Sequence, residues 1–217
     1  MNVTFVYEDS FLAVCNKPPG LLTVPAPGRQ KQDLTALLNL GAEKTGLTYR
    51  FHPCHRLDRE TSGLIIYAKG KSTQKKIMEL FHTRQVKKTY LAFLHGRPDK
   101  LNGRVTRDIE GKKAVTVYET AARSKDFFIV KAYPETGRTN QLRIHFTQIG
   151  HPIVGESKYI FRRDYALRAG RVMLHARELE FKHPFSGENL RICAPLPVDM
   201  VNFLNKHGID RGLVNNC

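Results

Sequence analysis

Short apolar runs of β type recur along this chain, each closed by a turn-forming break, and this rhythm limits the fold more than any other feature. VTFVY (3–7) and FLAVC (11–15) are joined by Glu8-Asp9-Ser10, and Asn16-Lys17-Pro18-Pro19-Gly20 ends the second run. GLIIYA (63–68), KKTYLAFLHG (87–96), AVTVYE (114–119), FFIVKAY (127–133) and LHARELEF (174–181) follow as further strands. Apolar residues at helical spacing interrupt the series. Leu34, Leu37 and Leu38 mark a helix over 33–46 that Asp33 can cap, and Ile77, Leu80 and Phe81 mark one over 73–84 that Ser72 can cap. Leu142, His145, Phe146 and Ile149 mark a third over 141–149, and a short closing helix starts at Asp199. Strands and helices do not alternate regularly. The pattern predicts an α+β fold with a mixed, mostly antiparallel central sheet and flanking helices and loops. No repeat, low-complexity tract or long linker divides the chain, so residues 1–217 read as one domain.

Charge narrows the partners. Against 20 acidic residues stand 35 Lys and Arg, a net charge of +15. Such an excess concentrates polyanions at the surface, and nucleic acid is the first candidate. The N-terminus lacks the basic and apolar regions of a signal peptide, and no apolar run is long enough to span a bilayer. Cys15, Cys54, Cys193 and Cys217 form no CxxC pair, which points to reduced thiols, no zinc ribbon and a cytoplasmic location.

Several familiar constellations fail. Gly70-Lys71-Ser72 resembles the end of a phosphate-binding P-loop, but Ile65 stands where the first glycine is needed. His52, Cys54 and His55 have no second ligand cluster, so no metal site is expected. There is no GxSxG nucleophile elbow, and nothing places Asp58 and Glu60 across a sugar as a glycosidase pair.

The stretch CHRLDRETSGL (54–64) is harder to dismiss. Asp58 lies between Arg56 and Arg59, and nearby positive charge favours an ionised carboxylate. Such a group is a poor general acid but a serviceable nucleophile, electrostatic stabiliser or weak base. Thr61 and Ser62 can bond back to the loop, and Gly63 permits a tight entry into the next strand. A salt-bridged turn that merely starts a strand explains the same residues equally well. A second basic cluster, ETGRTNQLRIH (135–145), carries Arg138 in a loop and Arg143 near the start of a helix. An arginine there can fork a carboxylate or phosphate, or bind a surface acid. Tyr90 follows two lysines, a setting that suits base stacking beside held phosphates and also an ordinary strand tyrosine.

HRLDRETSG strongly resembles the HRLDxxTSG motif of the RluA-type pseudouridine synthases. NKPPGLLTVP (16–25), KKTYLAF, ETGRTNQLRIH, GHPIVGESKY (150–159) and LHARELEFKHP (174–184) resemble the family's other blocks, in family order. The resemblance implies isomerisation of uridine to pseudouridine in ribosomal or transfer RNA, without metal or organic cofactor. It implies Asp58 as the catalytic carboxylate, Tyr90 as the ring packed on the target uracil, and Arg143 as the partner of Asp58. Arg56 would fill the gap left by the flipped uridine, with Arg138, Asn140 and Thr61 contributing to RNA binding. Asn140 stands where many members carry His; both donate hydrogen bonds, so little consequence is expected. Many relatives carry an N-terminal S4 domain, and here the first motif begins too early for one, which leaves RNA affinity to the catalytic domain's basic surface. A monomer is expected. The alternatives are a catalytically idle RNA-binding or ribosome-assembly protein on the same fold, and a hydrolase that would release free uracil.

Overall fold

The computed structural model describes residues 3–25, 32–160, 165, 167–210 and 212. In chain order its elements are β1 (Thr4–Glu8), β2 (Leu12–Lys17), α1 (Leu34–Lys44), β3 (Phe51–Pro53), β4 (Ser62–Lys69), α2 (Lys71–His82), β5 (Lys87–His95), β6 (Asn102–Val105), β7 (Thr116–Arg123), β8 (Phe127–Pro134), α3 (Gln141–Gln148), β9 (Leu174–Lys182), β10 (Asn189–Cys193) and α4 (Val198–Lys206). They form two compact units, one of Met1–Lys87 with Glu178–Ala194, the other of Lys88–Arg177 with Pro195–Cys217.

In the first unit β2 pairs antiparallel with β1 and with β4, from Leu12↔Ala68 to Lys17↔Gly63. A bulge between Phe5 and Tyr7 shifts the β1 register. Continuous apolar sequence in β2 and β4 is buried almost throughout, as strands covered on both faces require. β3 adds to β4 and β10 to β9, both antiparallel. Asp33 caps α1 by accepting the Ala36 N–H at 3.0 Å, which lets Leu34 and Leu38 turn inward. α2 opens two residues earlier than its sequence suggests. Gly70 takes the cap at φ 115, a conformation open to glycine, and Ser72, expected as the cap, lies exposed inside the helix. Ile77 from α2 joins Leu12, Val14, Leu64 and Ile66 in this unit's core.

The second unit is an antiparallel β5-β8-β7-β6 arrangement, with Tyr90↔Ala132 and His95↔Phe127 bounding the β5–β8 ladder. α3 sends Leu142 and Phe146 into its core, and α4 adds Met200, Phe203 and Leu204. Each such buried side chain contributes about 1.5–3 kcal/mol. The Phe203 ring lies 5.7 Å from Phe93 and 5.2 Å from Phe127. Arg171 forks Asp199 in the first turn of α4, at 2.5 and 3.1 Å. The strands named here pair antiparallel and the helices are few, so the α+β expectation holds.

Cys15 and Cys54 are free and buried, and burial pushes both thiols up to about 12. Cys193 is disulfide-bonded, which corrects the expectation of four reduced thiols; Cys217 lies outside the described residues. Isolated cysteines far from one another in sequence carry no spacing signal for pairing. Among the described residues, no helix is long and apolar enough to cross a membrane.

Candidate active site

In the first unit, the loop that carries Asp58 is held from both sides by the end of β2 and the segment after it. Lys17 is fully buried, and its ammonium donates to the carbonyls of Pro18 (3.0 Å), Leu21 (2.8 Å) and Arg59 (3.2 Å). Hydrogen-bonded acceptors for its protons are what make burial of this charge tolerable. The Gly20 N–H reaches the same Arg59 carbonyl at 2.8 Å, and its φ of 82 explains glycine there. On the other side of Asp58, the Thr23 hydroxyl donates to the Leu57 carbonyl and accepts the Leu57 N–H. Leu57 itself is buried. The turn closes as the Thr61 N–H donates to the Asp58 carbonyl at 3.1 Å.

Asp58 is thus half-buried on a backbone fixed at the residue before it and the residue after it. Arg56 is exposed, and Arg59 donates to Glu60 at 2.8 Å, an ion pair open to solvent and therefore weak. Thr61 is buried at the entrance to β4. His55, one of the rejected metal candidates, accepts the Ile66 N–H at Nε2 (3.0 Å) and packs its ring on Phe81 at 4.8 Å. Among the described residues no group of three His, Cys, Asp or Glu could hold a metal ion.

In the second unit Tyr90 is half-buried in β5 and packs against the apolar core. α3 starts after a loop organised by Gln141. The Gln141 amide oxygen accepts from Thr136 Oγ1 (2.6 Å) and the Arg138 N–H (3.0 Å), while its nitrogen donates to the Val115 carbonyl and to Thr116 Oγ1. Arg138 is exposed and donates to the Lys113 carbonyl. Asn140 precedes α3 in the left-handed conformation, at φ 54.

Arg143 is 9% exposed and tightly held. Its Nε and Nη2 fork Glu156 at 2.5 and 2.8 Å, and its Nη1 donates to Asn140 Oδ1 at 3.0 Å. The Tyr159 ring centroid lies 5.3 Å from the guanidinium carbon. Asn140, an RNA-binding candidate, here serves as an acceptor for Arg143. Burial alone would raise the Glu156 carboxyl; the Arg143 fork and N–H donors from Lys158 and Tyr159 outweigh it and hold the group below the usual carboxylate range. Neither Lys17 nor Glu156 is singled out by sequence reasoning, although both fall inside the quoted blocks NKPPGLLTVP and GHPIVGESKY.

Comparison with known proteins adds identity to this geometry. Residues 12–148 match the family described as RNA pseudouridylate synthase. The chain is 36% identical to the Haemophilus influenzae dual-specificity RNA pseudouridine synthase RluA, over 87% of this chain and 91% of that protein. It is 34% identical to the uncharacterized RNA pseudouridine synthase YlyB of Bacillus subtilis, over 94% of this chain and 72% of that one. Among solved structures, human RNA pseudouridylate synthase domain containing 4 superposes with a TM-score of 0.80 at 27% identity, covering 95% of this chain and 93% of that one. The chain belongs to the RNA pseudouridine synthases, RNA-modifying isomerases, and within them to the RluA type.

Proposed function

We propose that this synthase converts particular uridines in stem-loops of ribosomal or transfer RNA, acting as a monomer in the cytoplasm, with Asp58, Tyr90 and Arg143 as its catalytic set. The observation that carries the assignment of Asp58 is the doubly held loop: hydrogen bonds from the buried Thr23 and Lys17 side chains fix the Leu57 and Arg59 carbonyls on its two sides. A group that must act on one atom of a bound sugar gains most from such preorganisation.

The reaction breaks the N1–C1′ bond, turns the uracil and joins C5 to C1′; C5 loses its proton and N1 gains one, so atoms balance. The target base leaves its stack at a cost of a few kcal/mol. Arg56, exposed beside the loop, is suited to fill the vacated space. Asp58 carries the chemistry at the sugar, by attack or by proton removal. Tyr90 packs on the uracil, and Arg143 contributes positive charge to the reaction. Arg138, Asn140 and Thr61 support RNA binding. The net charge of +15 supports the grip on phosphates.

Carbodiimide-dependent reverse-transcription mapping of total RNA, with and without the gene, tests the reading. A stop that disappears, returns with the wild type and does not return with Asp58→Ala is expected. Return of the stop with Asp58→Ala would reject the assigned carboxylate. Absence of any lost stop, together with no pseudouridine made in RNA by purified protein, would favour the idle RNA-binding alternative.

A further inference from the structure

We propose that Glu156 is a positioning residue for the isomerisation, which sets the angle and reach of the Arg143 guanidinium. The Glu156 side chain is fully buried, while that of Arg143 is 10% exposed. Its Oε2 takes the Arg143 Nε, and its Oε1 takes Nη2 together with the N–H groups of Ser157 (3.0 Å), Lys158 (2.8 Å) and Tyr159 (3.3 Å). One carboxylate therefore does two things through different atoms: Oε1 folds the following turn round itself, and the two oxygens together form a planar fork on the arginine. A bidentate fork fixes both the direction and the roll of a guanidinium, which a single bond cannot do. Asn140 Oδ1 takes Nη1, and Tyr159 sits 5.3 Å from the guanidinium carbon. Three of the five N–H donors are thereby committed to a rigid frame. For a group that acts by placing charge at one position, an error of about 1 Å costs about a hundredfold in rate.

This rests on Arg143 taking part in the chemistry. Glu156→Gln separates the two duties. A glutamine oxygen can still accept the three backbone N–H groups, but its amide nitrogen faces the Arg143 Nε–H and breaks the fork. Single-turnover isomerisation and RNA Kd would be measured for the wild type, Glu156→Gln, Arg143→Lys and the double variant. Glu156→Gln is expected to slow the step roughly 10–100-fold and to leave Kd within about twofold, since phosphate contacts are separate from the chemistry. In the Arg143→Lys background the same change is expected to cost less than about threefold, because coupled residues are not additive. A wild-type rate for Glu156→Gln, or an equal loss in both backgrounds, would overturn the inference; equal loss would make Glu156 a holder of its loop only. If Glu156→Gln does not fold, Glu156→Asp keeps the charge on a shorter arm; an intermediate rate is expected, and a wild-type rate overturns the inference. Arg143→Lys at the wild-type rate would remove the role of Arg143 itself. A slow Arg143→Lys beside an unaffected Glu156→Gln would remove only the role of Glu156.

Discussion

Thr23 and Leu57 are joined twice through one hydroxyl, which donates to the Leu57 carbonyl at 3.0 Å and accepts the Leu57 N–H at 3.1 Å. Both residues are buried, so the bonds have no competition from water. Thr23→Val keeps the shape and removes both partners. It should cost about 1–3 kcal/mol for each backbone group left unsatisfied. Urea unfolding of the two proteins measures this, and a change within about 0.5 kcal/mol, the usual range of surface substitutions, would contradict the clamp.

Gly155 offers a harsher test of the turn before Glu156. Its φ is +84, and a Cβ there would lie 1.9 Å from the Arg171 carbonyl oxygen. Backbone stands in the way, so no rotamer change relieves the clash. Gly155→Ala should lower stability by more than about 4 kcal/mol, the range reserved for severe local defects. Thermal melting of the variant near the wild-type temperature would be inconsistent with this packing.

Acid should weaken the second unit before its carboxylates titrate. Burial, and then the charge of Arg168, lowers His95 from the ordinary 6.5 to about 4. A folded value below the unfolded one means that the unfolded chain takes the proton first. Stability from this source is complete above pH 6.5 and is lost as pH falls toward 4. It amounts to about 3 kcal/mol. His145 is shifted the same way, mainly by burial, and adds to the slope. His95→Phe should flatten the dependence in denaturant melts between these limits. An unchanged slope would show that His95 is not the titrating group.

RNA binding should weaken steeply with salt, because a chain with a charge of +15 releases counterions when it meets phosphates. Filter binding between about 50 and 200 mM salt should lose more than about tenfold in affinity. A flat response would place the RNA grip elsewhere than on the basic surface.

Legibility in the sequence followed the physics of each element. GLIIYA reads as a buried strand because continuous branched apolar residues suit a sheet covered on both faces, and β4 spans it. Asp33 reads as a cap because a carboxylate before an apolar period has one helical use, and it fills it. β3, β6 and β10 were not legible: they are three to five residues long, and pairing with a neighbour defines them more than their own residues do. At the site, Asp58 and Arg143 stood out by motif. Lys17 did not, because its partners are carbonyl groups, which every residue has. Glu156 did not, because it lies beyond the end of α3, 13 residues after the helical arginine it holds.

Isomerisation replaces the C5–H bond of uracil by C5–C1′, so RNA labelled with tritium at C5 of uridine must release the label to water. The most direct measurement is tritium release by purified wild-type and Asp58→Ala proteins, each shown to bind the RNA. Release by the wild type without free uracil, and none by the variant at equal binding, is the predicted result. Release by Asp58→Ala at the wild-type rate, or free uracil among the products, would contradict an isomerase that works through this carboxylate.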